Sequence, residues 1–359
     1  MQSSRFYLSA LSGLLFGALT LASSCSKEDD NNAPAGNVDK ARLSALIDSV
    51  TTGYSAATEG NKPGNYAPGA KASLKTALDL STVTKNDASY NQAAVNATVA
   101  NLRRAVAAFK SALVQEVSVA NLVAQWKFSG NANDATANAN NGVLKSGPTG
   151  PGTAPGDGNT LPVLVADRFG QAGQAYEFNN GAYIEVPYQA ALNPQALTIS
   201  LWCKRFDGND ANYLVSLNRW QSYKFQLQGA GKPFLTISTT AGTADKDADS
   251  GIVPVNVWTH VTVSYADGNM KFYINGALVK TWTDVKGPLK TAPQAVPLSI
   301  GQQLPKDIYN SVPTGGQVAT YFQYYGPAYF KGQMDDIRFY NRALTDAEVQ
   351  SIFTIEKSL

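Results

Sequence analysis

Apolar residues change period once along this chain. From Val38 to about Leu113 they recur at helical spacing: Leu43, Leu46, Ile47, Val50 and Tyr54 mark one stripe of an amphipathic helix. Glu59-Gly60-Asn61-Lys62-Pro63-Gly64-Asn65-Tyr66 breaks it, and Pro68 opens a second helix bearing Leu74 and Leu78. A third carries Val95, Val99, Leu102, Val106, Phe109 and Leu113. Three stripes around one seam predict a small three-helix bundle over residues 38–117. After Val119 the period is two. Trp258 to Tyr265 alternates, turns at Asp267-Gly268, returns through Lys271 to Ile274, and turns again at Asn275-Gly276. Both dipeptides tolerate the positive φ of tight hairpins, so residues 120–359 are expected to form an antiparallel β-sandwich or jelly roll.

Composition sharpens this only in part. The chain has 359 residues, 44% hydrophobic and 16% charged, which excludes a disordered or coiled-coil protein. A formal net charge of +2 leaves no basic surface for a phosphate backbone, so nucleic acid is not an expected partner. Residues 1–24 read as an export signal rather than fold: Arg5 is followed by a short apolar run, Phe6 to Ala22. Its end, Leu21-Ala22-Ser23-Ser24-Cys25, resembles a bacterial lipoprotein cleavage site, which implies acylation at Cys25 and membrane attachment through a lipid anchor. Residues 25–37 form a charged tether. Its Ser26 to Asn32 stretch resembles the acidic segment of surface-exported lipoproteins of the Bacteroidetes, implying an exposed outer-membrane location.

Within the helical part, Gly64-Asn65-Tyr66-Ala67-Pro68-Gly69-Ala70 resembles the FIVAR-like modules of bacterial surface proteins, and a spacer role is expected. The β part carries seven blocks in order: Leu122-Val123-Ala124-Gln125-Trp126-Lys127-Phe128, Phe178-Asn179-Asn180-Gly181, Leu197 to Trp202, Trp258-Thr259-His260-Val261, Phe272 to Gly276, Leu298-Ser299-Ile300-Gly301 and Gly332 to Leu344. Together they resemble the laminin-G-like jelly roll of the concanavalin A-like lectin/glucanase fold. Thr345 and Glu348 form the pattern of a capping box ahead of a closing helix.

That resemblance implies two kinds of chemistry to look for. Hydrolases on this fold resemble one another in carrying Glu-x-Asp-x-x-Glu along a strand, whereas the glutamates here after residue 120, Glu177, Glu185, Glu348 and Glu356, do not fit it. No enzyme is expected on that count, although an atypical hydrolase using aspartates is one alternative. His260, the sole histidine, is expected to be structural rather than part of a triad, and Cys203, closing the Ile199, Leu201, Cys203 alternation, an inert core thiol. The resemblance also implies a structural calcium at Asp335, with Asp134 as a further ligand. Strand alternation places Asp335 on the face of Ile337 and Phe339, the core side, where a carboxylate needs a cation or an arginine.

For a ligand, residues 321–330 hold six aromatics in ten. Tyr321, Tyr324, Tyr325 and Tyr329, with Trp220 and Tyr223 as companions, are candidates for the floor of a sugar site or for pinning a loop. The expected function is recognition of a glycan or glycoprotein without turnover; the alternative is an adhesive scaffold for protein partners.

Overall fold

A computed structural model describes residues 38–149, 157–208, 212–292, 295–311 and 329–358. The segments read as an export signal and a tether, Cys25 and the tyrosines at 321, 324 and 325 lie outside the described residues.

Three helices, α1 (Ala41–Ala56), α2 (Ala70–Asn86) and α3 (Gln92–Ser111), bury Leu43, Ile47, Leu74, Val95, Leu102 and Phe109 in one seam. The interhelical loop belongs to that core. Tyr66 stacks on Phe109 with ring centres 4.0 Å apart, and Gly64 N and Asn65 O bond Val114.

The remainder is two packed antiparallel sheets, strands numbered along the chain. One has the spatial order β13 (Ala277–Trp282), β12 (Asn269–Ile274), β11 (Thr259–Ala266), β6 (Leu197–Arg205), β15 (Gly332–Tyr340), β4 (Ala175–Phe178), β3 (Val163–Val165), with β1 (Leu122–Trp126) also on β15. The other runs β10 (Gly242–Asp247), β9 (Pro233–Thr239), β8 (Tyr223–Leu227), β7 (Asn212–Leu217), β14 (Leu298–Ile300), β5 (Tyr183–Val186), β2 (Val143–Lys145). Between the sheets Ile199, Leu201 and Cys203 meet Phe225, Leu235, Leu298 and Ile300 in one continuous core. The turns at Gly268 and at Asn275-Gly276 do adopt positive φ. A six-residue helix, α4 (Lys306–Ser311), follows β14, and α5 (Asp346–Glu356) closes the described chain. The Thr345/Glu348 capping box is formed, with Arg342 holding the Glu348 carboxyl down near 2.

Helix α5 lies on the outer face of the eight-stranded sheet and is also where the bundle attaches. Gln115 N donates to Ser351 Oγ at 2.8 Å, and Val117 packs on the cluster of Leu122, Tyr340, Val349 and Ile352.

One expectation about β15 is corrected. Asp335 does not share a face with Ile337 and Phe339. It pairs with Trp202, while Met334 pairs with the core residue Cys203 and Arg338 with Ser200. The register shifts between Asp335 and Arg338, where Asp336 takes φ 46°. One extra residue in a strand flips the alternation. The bulge therefore turns Asp335 and Arg338 together onto the outer face, beneath α5.

Candidate functional site

The strongest candidate site is built by strand register on the outer face of the seven-stranded sheet. In β8 the inward residues Tyr223, Phe225 and Leu227 enter the core, which leaves Lys224 and Gln226 facing outward. Cross-strand partners share a face, and the pairing draws one row across all seven strands: Val143, Glu185, Ser299, Ser216, Lys224, Thr236, Asp245. A second, shorter row of Tyr213, Gln226, Phe234 and Asp247 flanks it.

An outward sheet face normally spends its polar groups on water. Here the middle of the row is closed off: Ser216, Lys224, Thr236 and Ser299 are all buried, Lys224 with 5% of its surface exposed. Lys224 Nζ donates to Gln226 Oε1 at 2.8 Å and stands 5.5 and 5.2 Å from the ring centres of Tyr213 and Phe234. Burial lowers its pKa to about 8, with nearby Asp245 opposing and Arg219 adding to the effect. Ser216 Oγ donates to the backbone oxygen of Gln303 at 2.7 Å, which brings that residue to the row. Gln303 is fully buried, yet neither end of its side-chain amide has a hydrogen-bond partner, and neither does Ser299 Oγ. Buried polar atoms are nearly always satisfied. Ser299 Oγ and both ends of the Gln303 amide are thus left without a partner on this face.

The two carboxylates of the row are engaged. Glu185 accepts from Tyr183 Oη at 3.0 Å and lies 3.9 Å from Lys145, and Asp245 accepts the Thr236 hydroxyl.

The opposite outer face, beneath α5, holds a second polar cluster of a different kind. Arg168 bonds Asp335, Asp336 (2.8 Å) and the backbone oxygen of Glu356 (2.8 Å), its guanidinium lying 4.7 Å from the Trp202 ring centre. Glu356 accepts from Trp202 Nε1 at 2.9 Å and from Arg338 Nε at 2.6 Å. Two guanidiniums thus face three carboxylates. Burial together with neighbouring Asp336 pushes the Asp335 carboxyl up to about 8, against Arg168, which holds it down.

His260 belongs to the same cluster and does not form a triad. Its Nε2 lies 2.7 Å from Ser200 Oγ and 3.8 Å from Glu356 Oε2, so hydroxyl and carboxylate crowd one nitrogen while buried Nδ1 has no partner. A general base needs acid and nucleophile on opposite nitrogens. Burial lowers the ring's pKa to about 3, keeping it neutral and structural. Cys203 is also buried, its thiol pushed up to about 12 by the same desolvation, which leaves it inert.

The other anticipated residues separate. Asp134 is a loop hub: Oδ1 accepts from Gln125 N and Thr136 N, both at 2.9 Å, and Oδ2 from Thr136 Oγ1 at 2.8 Å and Asn140 N at 2.9 Å. The oxygens of Asp134 are thus taken by backbone amides and a hydroxyl, and Asp335 is hydrogen-bonded to Arg168. No cluster of three His, Cys, Asp or Glu able to hold a metal occurs among the described residues. Tyr223 points into the core with Oη on Leu192 O at 2.8 Å, so it offers no ring to a surface ligand. Trp220 lies in the turn before β8. Half-buried Tyr329 bridges by backbone to Gln302, next to Gln303, and thus adjoins the row. Sequence reasoning missed Lys224, Ser299 and Gln303. Their one trace is a polar residue at every second position of Tyr223-Lys224-Phe225-Gln226-Leu227, a pattern shared with ordinary solvated strands.

A laminin G family profile described as the concanavalin A-like lectin/glucanases superfamily matches residues 178–350. Those residues are a concanavalin A-like jelly-roll domain. No curated protein matches the chain. Among solved structures it is similar to domain 4 of a GH43 extracellular arabinanase from Geobacillus stearothermophilus, in complex with arabinotriose (21% identity, 65% of this chain and 98% of that one, TM-score 0.47). It is also similar to the binding domain of Paraclostridial Mosquitocidal Protein 1 (20% identity, 65% and 52%, TM-score 0.44) and to the botulinum neurotoxin serotype G binding domain (13%, 66% and 52%, TM-score 0.44). The chain spans about half the length of those two toxin structures.

Proposed function

We propose that this jelly roll binds a glycan, free or on a glycoprotein, on the outer face of the seven-stranded sheet and does not cleave it. The observation that carries this reading is the group of buried, unpartnered polar atoms at Ser299 and Gln303 beside Lys224 and two aromatic rings. Sugar hydroxyls donate and accept at once, and their C–H faces pack on rings, which is the complement of such a lining. The absence of turnover rests on the carboxylates of the row: Glu185 on β5 and Asp245 on β10 stand five strands apart and each already has a partner, whereas retaining hydrolysis needs two carboxyls about 5–5.5 Å apart.

The cellular setting belongs to the same proposal. The Leu21 to Cys25 pattern and the acidic tether support a lipoprotein held on the outer-membrane surface, with the helices as spacer. Incorporation of labelled palmitate, lost in Cys25→Ala, checks the anchor.

A glycan array probed with the chain tests the function. Saturable binding that disappears in Gln303→Ala, with the melting temperature kept, is the expected result. Release of reducing sugar from a bound glycan would replace lectin by hydrolase, and an array without a hit would remove the reading.

A further inference from the structure

A cavity of about 190 Å³ opens on the outer face of the eight-stranded sheet, beside the Arg168 cluster, between β1, the loop after β3 and the bulge of β15. Strand alternation builds one wall. Ala124 and Trp126 enter the core, so Gln125 faces outward next to its cross-strand partner Arg338. The loop builds the other. Asp167 Oδ1 accepts from Phe169 N at 2.9 Å and from Gln171 N at 2.8 Å, and Gln174 N donates to Val165 O, which sets Phe169, Gln171 and Gln174 along the same cavity.

The formal charges of the lining are equal, three basic and three acidic side chains, and Arg168 already spans Asp335 and Asp336. The neutral polar groups are what is left over. Gln125 has only 8% of its surface exposed, yet its side-chain amide makes no hydrogen bond among the described residues, where only its backbone is engaged. A buried amide in that state is costly, and few are left so in native proteins. The side chains of Gln171 and Gln174 likewise have no partner among the described residues. Phe169 keeps 40% of its surface exposed, with the Arg168 guanidinium 4.6 Å from its ring centre fixing the ring in place.

We propose that this cavity is a second carbohydrate site, which takes one neutral sugar ring. Each glutamine amide offers donor and acceptor together, as adjacent sugar hydroxyls do, and the C–H face of a sugar packs on the Phe169 ring. The volume sets the size: it lies below the ~300–1,000 Å³ of pockets for drug-sized molecules and suits a single ring. A charged ligand would upset the equal charges of the lining. This site goes beyond the polar row on the other sheet and stands independently of it. One ring makes few contacts, so a dissociation constant on the order of 1–10 mM is expected.

Saturation-transfer difference NMR of the chain with the methyl glycosides of glucose, galactose, mannose, xylose and N-acetylglucosamine tests the proposal. At least one glycoside should show saturable transfer, weakened at least tenfold by Gln125→Leu and by Phe169→Ala and kept in Gln303→Ala, which touches only the row. If Gln125→Leu does not fold, Gln171→Ala, on an exposed side chain, serves in its place with the same expected loss. Saturable transfer to none of the glycosides overturns the site, and so does transfer that survives both cavity variants. Transfer lost in Gln303→Ala but kept in the cavity variants assigns the sugar to the row, which overturns the second site and leaves the row's function standing. An array without a hit, beside transfer that depends on Gln125, removes the row's function and leaves this site.

Discussion

The two outer faces of this sandwich use similar residues to opposite ends. Beneath α5, on the eight-stranded sheet, Arg168, Asp335, Asp336, Arg338, Glu356 and Trp202 meet mainly one another, and helix and loop seal them. On the seven-stranded sheet, Lys224, Ser216, Thr236 and Ser299 are buried to a similar degree, but Ser299 and Gln303 keep polar atoms unmatched. A closed network serves folding. A row that keeps polar atoms unmatched gives up stability, which on the proposed reading is the cost of holding a glycan. The number of buried polar residues does not separate the two faces: beneath α5 the charged groups pair with one another although His260 Nδ1 stays unpartnered, whereas on the other face the Ser299 hydroxyl and both ends of the Gln303 amide are unmatched.

The comparison breaks most readily at Arg168. Removing one partner of a buried ion network leaves charge uncompensated, so Arg168→Met should cost about 3–5 kcal/mol in urea unfolding, with no change in glycan retention by the folded fraction. Loss of binding at unchanged stability would merge the two faces into one site. A similar but pH-dependent effect is expected at His260. Its pKa is about 3 when folded against 6.5 as the ordinary value, so below pH 6.5 the unfolded chain takes up a proton that the native chain does not. Stability contributed there is present above pH 6.5 and is lost as pH falls toward 3, on the order of 4 kcal/mol over the window. Asp335, raised to about 8, contributes a slope of the other sign, the native chain holding the extra proton between about pH 4 and 8. The readout is therefore the difference between native chain and His260→Gln, which should lack the acid-side loss.

On the other face the sign of a truncation reverses. Ser299→Ala removes an unpaired buried hydroxyl and should stabilise the domain by about 1 kcal/mol while weakening glycan binding; a destabilised variant would mean the hydroxyl has a structural partner after all. The smallest effect is expected from EDTA. With Arg168 hydrogen-bonded to Asp335, calorimetric melting should not move, and a fall of several degrees that calcium reverses would support the ion that the family resemblance implied.

Much of the architecture was legible because it is written in periods. The shift from helical spacing to alternation, Asp267-Gly268, Asn275-Gly276 and the Thr345/Glu348 cap each carry a local signal with one physical meaning. The site was not, and the reason is register. Tyr223 and Lys224 are adjacent, and only pairing with β7 and β9 decides that the lysine, not the tyrosine, faces outward. Asp335 was misplaced by an inserted residue at Asp336 that no composition betrays. Orphaned atoms at Ser299 and Gln303 exist only in three dimensions, since having no partner is a property of surroundings and not of a residue type.

Helix α5 is the point where the bundle joins the sandwich, through Gln115 and Ser351, and it sits on the sheet opposite the polar row. The junction and the polar row are thus at the back and the front of one sandwich. A ligand that reached the polar row would approach the sandwich from the side away from this junction.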